Sequence, residues 1–342
     1  MENLKGYKGY KKGLVCRGKQ YHEKTVFEEN EAKICRSGMH FCVNPFDVLD
    51  YYDLVNSDGS FNEFTEVEAL DEVLTDDDKK YCTKKLKIGA KLSFGGFINA
   101  CANFILDKTT FESSKVNEYD ESVIFSKDKN AQIGSSSDYA QIGSSGYSAQ
   151  IGSSGDYAQI GSSGNSAKIG SSGDYAKIGS SGNFAKIGSS GDSAQIGSSG
   201  YSAQIGSSGN SAQIGSSGDY AQIGSSGNFA QIGSSGYSAK IGSSGYSAKI
   251  GSSGYSAKIG SIGDSAQIES TGEDSVICCV GHESIVKADK GSWITLAEWE
   301  KSEEKGRWIP KYVKTEFVDG KRIKADTFYK LINGEFVEVK ES

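Results

Sequence analysis

Tyrosine and lysine recur together at nine-residue intervals near the end of a long repeat. Both residue types are well suited to binding a partner molecule. Aromatic rings offer flat apolar surface, while ammonium groups attract anions and carbonyl oxygens. We predict a binding stripe here; the alternative is that the rings only shield a thin core from the side. The predicted stripe consists of Tyr237, Lys240, Tyr246, Lys249, Tyr255 and Lys258.

These residues belong to sixteen copies of the nonapeptide Ala-Gln/Lys-Ile-Gly-Ser-Ser-Gly-x-x, which open at every ninth residue from Ala131 to Ala266. One copy is too short to bury a core. Stacked copies can do so, because Ala and Ile at positions 1 and 3 face one side of a strand and the residue between them faces the other. The repeat therefore predicts a β-solenoid.

Two copies, or about eighteen residues, are predicted for each turn of this solenoid. Nine extended residues span only about 30 Å, which is too little for two sheets about 10 Å apart and two corners. Sixteen copies would give about eight turns and a rod about 38 Å long. The glycines at positions 4 and 7 are expected at corners with positive φ, which costs glycine almost nothing.

The residue after the last glycine alternates in the first copies, which suggests that alternate copies share a sheet. Calcium-binding nonapeptides place Asp regularly after a glycine pair, whereas this chain often has Asn or Tyr there. We therefore predict no metal site, and no cofactor is indicated. The alternating residues are Asp138, Tyr147, Asp156, Asn165, Asp174, Asn183 and Asp192.

The flanking segments predict a small α+β head before the rod and an antiparallel β cap after it, so the chain is mainly β. Asn44 and Pro45 are typical of a helix start, here over Pro45–Leu54. Val318-Asp319-Gly320-Lys321 and Ile332-Asn333-Gly334-Glu335 each predict a hairpin. The predicted boundaries are 1–101 for the head, 102–130 for a connector, 131–275 for the solenoid and 276–342 for its end turn and cap.

Composition favours a chain that works in a reducing compartment without entering a membrane. The seven cysteines are odd in number and lack CxxC spacing, so they are expected to be reduced thiols. Neither a long apolar run nor a charged leader is present, which argues against membrane insertion and secretion. The net charge of −7 argues against a nucleic-acid partner.

The first hundred residues resemble an uncharacterised N-terminal domain of phage and prophage proteins, including members that carry such nonapeptide repeats. Gly291–Ile294 and Phe317–Gly320 look like the segments that close those members. The resemblance implies a phage-encoded product that acts inside a bacterium, in the host cytoplasm, but it implies no activity. The residues that carry it are Lys5–Tyr10, Cys16–Gly18, Gly38–Cys42, Asn44-Pro45, Tyr51-Tyr52 and Glu66–Ala69.

A second resemblance concerns the order of a few side chains, which is similar to that of mono-ADP-ribosyltransferases. It implies that Arg17 and His40 would hold NAD and that Tyr51 or Tyr52 would stack on nicotinamide. Glu68 would then steady the developing oxocarbenium ion. The chain departs from that family because it lacks a Ser-Thr-Ser strand and its spacing is compressed.

The sequence as a whole predicts a non-enzymatic interaction protein that displays the solenoid surface to a host or phage macromolecule, above all a host protein. Counter-defence, by occupying a bacterial immune protein, is one use of such a surface. Two alternatives stay open: a transferase acting through Arg17, His40, Tyr52 and Glu68, and a structural fibre component of the virion.

Overall fold

The computed structural model describes residues 3–34, 36–52, 62–76, 79–93, 96–98, 100–101, 104 and 122–340. The described part of the head contains nine strands and a short helix, α1, at Pro45–Val48. Residues 96–98, 100, 101 and 104 belong to a second helical segment. The strands are β1 (Lys5–Tyr10), β2 (Val15–Cys16), β3 (Lys19–Gln20), β4 (Val26–Glu28), β5 (Met39–Cys42), β6 (Glu63–Ala69), β7 (Val73–Thr75), β8 (Lys80–Thr83) and β9 (Lys85–Leu92).

Seven of the head strands form one antiparallel sheet in the order β4-β9-β6-β1-β5-β8-β7, and β2 and β3 form a separate hairpin. Helix α1 starts as predicted, since the Asn44 side chain accepts a hydrogen bond from the Phe46 N–H at 3.0 Å. It ends at Val48, earlier than predicted, and the last two residues of the predicted span lie outside the described residues.

The rest of the described chain forms two long sheets that enclose one core. The twelve-stranded sheet contains β10 (Val123–Ser126), β12 (Gln141–Ser144), β14 (Gln159–Ser162), β16 (Lys177–Ser180), β18 (Gln195–Ser198), β20 (Gln213–Ser216), β22 (Gln231–Ser234), β24 (Lys249–Ser252), β26 (Gln267–Ser270), β28 (Ile285–Ala288), β31 (Phe328–Ile332) and β32 (Glu335–Val339). The eleven-stranded sheet contains β11 (Gln132–Ser135), β13 (Gln150–Ser153), β15 (Lys168–Ser171), β17 (Lys186–Ser189), β19 (Gln204–Ser207), β21 (Gln222–Ser225), β23 (Lys240–Ser243), β25 (Lys258–Ser261), β27 (Val276–Cys279), β29 (Trp293–Ser302) and β30 (Arg307–Phe317).

The predicted β-solenoid with two copies per turn is confirmed. Each repeat strand pairs in parallel with the strand eighteen residues further on, as Ile196 does with Ile214. Every Ala and Ile at positions 1 and 3 is buried, none more than 6% exposed. From β10 to β29 the coil makes about ten turns, two more than the repeat count predicts, and β10 lies inside the segment interpreted as a connector. Most of that segment, 105–121, lies outside the described residues.

The explanation of the repeat glycines by positive φ is wrong. None of them has a positive φ; the left-handed residues of the corners are instead those at position 9, such as Tyr139 and Ser202. Glycine is needed at position 7 because consecutive turns approach closely there. A Cβ on Gly200, for example, would collide with the carbonyl oxygen of Gly182 one turn earlier.

The alternation of Asp with other residues arises because successive corners lie on opposite edges of the coil. Edge one contains the corners that follow odd-numbered strands, and edge two those that follow even-numbered strands. On edge one each Asp or Asn carboxyl or amide oxygen accepts the backbone N–H one turn later, as Asp174 does from Asp192 at 2.7 Å. Asn210 continues the ladder by accepting from Asn228 at 3.1 Å. This ladder gives the aspartates a structural role.

The C-terminal strands close the end of the coil with larger side chains. Val286 and Leu296 occupy the interior positions of the last turn, 0% and 1% exposed. The nine-residue spacing from Val276 reaches Ile285, but the next corner is one residue shorter, so Trp293 takes the following equivalent position instead of Ile294.

One of the two predicted hairpins is confirmed and one is wrong. Asn333-Gly334 is the turn between β31 and β32, with φ of 53° and 74°. Asp319-Gly320 does not join paired strands, because β30 pairs with β29 and β31 pairs with β28. The Asp319 carboxylate there accepts the backbone N–H groups of Lys321 and Arg322, which stabilises a loop.

Replacing Gly200 with Ala should disrupt the corner, because the added methyl would overlap backbone one turn away. We expect the free energy of unfolding to fall by at least about 2 kcal/mol, as in an overpacked core. Gly197→Ala in the same copy is the matched control, since nothing lies within 4 Å of its Cβ. Urea unfolding followed by circular dichroism measures both; equal midpoints would contradict the close-approach explanation.

Candidate functional site

The two outer faces of the solenoid carry the same residue types but differ in exposure. On each face position 2 presents Gln or Lys, and position 4 presents a glycine that leaves a gap between neighbouring side chains. On the twelve-stranded sheet these glycines line a continuous groove, which we call the open groove. It runs from Phe125, 60% exposed, to Glu269. Its glycines are Gly143, Gly161, Gly179, Gly197, Gly215, Gly233 and Gly251.

The equivalent glycines on the eleven-stranded sheet are buried in six strands from β11 to β21. Part of this cover comes from the head. The Phe46 ring and the Ile98 and Cys101 side chains approach to within 4 Å of the Cβ position of Gly170. Ile98 occupies the space where a Cβ of Gly188 would lie. The protein therefore shows what fills such a groove: the apolar side chains of short helical segments.

Polar contacts hold the head in register on this covered face. Lys168 donates to the Phe46 carbonyl oxygen at 3.0 Å and forms an ion pair with Asp50 at 2.7 Å. Lys186 donates to the carbonyl oxygen of Leu49. Position-2 lysines thus satisfy carbonyl groups at the end of α1, which is the interaction expected between cations and helix C-termini.

The structure divides the predicted stripe between opposite sides of the coil. Tyr237 and Tyr255 lie on edge two, whereas Tyr246 lies on edge one. Lys240 and Lys258 are on the eleven-stranded sheet, and Lys249 is on the twelve-stranded sheet, where it lines the open groove. All three rings are about half exposed. One turn takes eighteen residues, so residues nine apart lie on opposite sides of the coil. Side chains that recur every nine residues therefore cannot form a single stripe.

The corner aromatics stack along the edges, which agrees with the lateral-shielding alternative. Tyr139, Tyr157 and Tyr175 form a column on edge one with ring centroids 5.0 and 4.9 Å apart and nearly parallel planes. On edge two the rings meet edge to face, as Tyr220 and Tyr237 do at 5.7 Å.

A second candidate site is a pocket of about 250 Å³ in the head, which we call the head pocket. Arg17, His40 and both Tyr51 and Tyr52 line it, so the structure brings together most of the side chains that the transferase resemblance selects. Arg17 is at the tip of the β2–β3 hairpin, where it and Gly18 have φ of 51° and 79°.

Glu68 does not line the head pocket. Its carboxylate accepts from Asn3 at 3.0 Å and forms an ion pair with Lys87 at 3.0 Å. Among the described residues Glu29 is the one carboxylate that lines the pocket, and it is engaged by Lys19 at 2.6 Å and by the Gly38 N–H at 3.0 Å. The transferase alternative stays a prediction, with its proposed catalytic glutamate away from the other three residues.

Sequence reasoning missed Lys8 and Cys16, which also line the head pocket. Lys8 is 5% exposed and donates to the His40 carbonyl oxygen at 2.7 Å, with its ammonium group 5.3 Å from the centre of the Tyr21 ring. Burial lowers the pKa of Lys8. Tyr52 donates its hydroxyl to the Cys16 sulfur at 2.9 Å. The sequence does contain a signal for Lys8. It is two residues before the apolar Tyr10, so in a strand such as β1 its side chain is expected on the same, buried face.

Burial is also the main reason that the pKa of His40 falls to about 4, with the positive charges of Lys8, Arg17 and Lys80 acting in the same direction. His40 is therefore neutral near pH 7. The described part of the chain contains no cluster of three or more His, Cys, Asp or Glu side chains that could hold a metal ion. Six cysteines are free thiols, and Cys35 lies outside the described residues.

Residues 4–100 match the model of a protein family described as a domain of unknown function, DUF7666. The match supports the prediction of an uncharacterised N-terminal domain, and it covers the head without the solenoid. The phage association and the repeat likeness stay predictions. No curated protein and no solved structure matches the chain. Within the described ranges no helix is long and apolar enough to cross a bilayer.

Placing Arg at Gly188 should undock the head, because the new side chain would displace Ile98 and bury an unpaired charge. Cys101 packs in this interface, and burial raises the pKa of its thiol, so it should resist alkylation in the wild type. We expect the Gly188→Arg variant to alkylate Cys101 at least about tenfold faster, equivalent to about 1.4 kcal/mol of weaker docking. Peptide mass spectrometry measures the rate at each cysteine.

Gly179→Arg on β16, in the opposite, twelve-stranded sheet, is the matched control, because its Cβ would meet open space. Similar Cys101 rates in the two variants would contradict docking of the head on the eleven-stranded sheet.

The His40 imidazole should stay neutral down to about pH 5, because its pKa is lowered to about 4. Folding therefore excludes a proton that the unfolded chain would bind below about pH 6.5. Stability should consequently fall as the pH drops from 6.5 towards 4, by less in His40→Gln than in the wild type. Histidine NMR shifts give the titration midpoint, with His40→Gln for assignment; a midpoint above 6 would overturn the prediction.

Proposed function

We propose that this chain is a non-enzymatic interaction protein that binds a host or phage protein along the open groove. One observation carries the proposal: two chemically equivalent glycine grooves run along the rod, and the head covers part of one of them, at Gly170 and Gly188, while the other is accessible. A rod surface of this length, with backbone at its floor and side chains at its walls, suits an elongated partner segment such as a helix.

The covered face indicates the chemistry of that partner. There the groove holds Phe, Ile and Cys side chains from helical segments, and lysines donate hydrogen bonds to helix-end carbonyl oxygens and pair with a carboxylate. The open groove offers the same elements, with Lys177 and Lys249 at position 2 among glutamines. The partner is therefore a helix with small or aliphatic side chains on one face and an acidic or C-terminal end near Lys177.

The biological setting of the proposal rests on the phage resemblance and on the reduced cysteines. A phage-encoded chain acting in the host cytoplasm would meet bacterial proteins there, and occupation of an immune protein, as in counter-defence, is the use that we propose. The free thiols of the described cysteines suit a reducing compartment.

Arg at both Gly197 and Gly215 should abolish capture of the partner from host lysate, because two long charged side chains would block the middle of the open groove. Neither substitution meets protein atoms near its Cβ, so folding should persist. We expect at least a tenfold loss of recovered partner, corresponding to about 1.4 kcal/mol. Affinity capture with quantitative mass spectrometry measures it.

Gly260→Arg is the control, since Gly260 has open space at its Cβ but lies on the eleven-stranded sheet. Capture of a protein by the wild type and by Gly260→Arg, with loss in the double variant, would support the open groove. Equal recovery by all three chains, or no partner above background, would refute the proposal.

A further inference from the structure

The head pocket concentrates positive charge in a chain whose net charge is −7. Its single carboxylate among the described residues, Glu29, is already engaged by Lys19. A pocket with excess positive charge attracts anions and raises their local concentration. The basic side chains that line it are Lys8, Arg17, Lys19, Arg36 and Lys80.

Arg17 is placed to meet a ligand at the mouth of the pocket. It is exposed, and no hydrogen bond or ion pair engages its side chain within the ranges that the structure describes. Its backbone has φ of 51°, a conformation that Asn or Gly adopts at lower cost. The turn itself therefore does not require arginine, whereas a planar guanidinium is well suited to bidentate contact with a phosphate group.

The walls are aromatic and the floor is a buried amine. Tyr21, Tyr51 and Tyr52 line the pocket, and the Lys8 ammonium group lies 5.6 Å from the centre of the Tyr10 ring below it. Tyrosine rings stack with nucleobases, and each such contact contributes about 1–3 kcal/mol. The volume of about 250 Å³ is slightly below the range of about 300–1,000 Å³ for drug-sized ligands. This volume is about that of one pyrimidine base with its ribose, which leaves the 5′-phosphate at the mouth of the pocket beside Arg17.

We propose that the head pocket binds a nucleoside monophosphate, with the base among the tyrosine rings and the phosphate at Arg17. This site lies in the head, away from the open groove, so it is independent of the proposed partner binding. Binding needs no covalent step, and Glu68 has no part in it.

Uridine 5′-monophosphate, uridine and inorganic phosphate are the probes, and titration calorimetry with the full chain gives the affinities. We expect the monophosphate to bind at least tenfold more tightly than either fragment. Arg17→Asn should weaken it at least about tenfold, the loss of one charge-assisted contact, while it leaves uridine affinity within twofold. Because Asn suits the left-handed turn, this variant should fold at least as well as the wild type.

Lys12→Asn is the matched control, because it removes one exposed positive charge from the same domain outside the pocket. An equal loss of affinity in both variants would show only a net-charge effect and would overturn the proposal. So would phosphate alone binding as tightly as the monophosphate, or no binding of the monophosphate at millimolar concentration.

A second readout locates the ligand without any substitution. Cys16 lines the pocket, whereas Cys278 is exposed on the solenoid. Saturating uridine 5′-monophosphate should slow alkylation of Cys16 at least fivefold and leave Cys278 unchanged. Equal alkylation of Cys16 with and without the ligand would place any binding elsewhere and refute the assignment.

Discussion

The close approach of backbone to backbone at the corners is the constraint on which the solenoid depends. Each corner glycine lies so near the carbonyl oxygen of the preceding turn that a methyl group would not fit between them. Parallel strands can then stack at the usual spacing of about 4.8 Å over the whole rod. That spacing keeps the small Ala and Ile side chains in contact from turn to turn and lets the Asp and Asn ladder on edge one reach the next backbone N–H. The core is thin, so each buried Ala or Ile has few neighbours within its own turn. Close stacking supplies the remaining apolar contacts from the turns above and below.

The periodic part of this fold could be predicted from sequence. Successive side chains of a strand point to opposite faces, so the repeat itself indicates which residues are buried. The eighteen-residue turn, the inward Ala and Ile and the antiparallel end all followed from spacing and elementary geometry. The reason for the glycines could not be obtained in this way. Positive φ and close approach both select glycine, and only the path of the neighbouring turn distinguishes them; here the left-handed conformation falls on Tyr and Ser at position 9.

The candidate sites were less predictable, because they depend on contacts between distant segments. A nine-residue recurrence of Tyr and Lys cannot reveal that consecutive members lie on opposite sides. Arg17, His40 and Tyr52 line one pocket, whereas Glu68 lies outside it because its position depends on how β6 pairs with β1 and β9. The docking of the head on Gly170 and Gly188 had no sequence signal either, since these glycines belong to the same motif as those of the open groove.

The eighteen-residue turn also restricts how the length of the rod can change. Insertion or loss of two copies lengthens or shortens the coil and leaves every later residue on its original sheet and edge. A single added copy would transfer all downstream residues to the opposite sheet, so that Lys249 would leave the groove side and the closing strands β28 and β29 would exchange places. The pair of nonapeptides, and not the single nonapeptide, is therefore the unit by which the rod can grow or shrink without moving later residues to the opposite sheet.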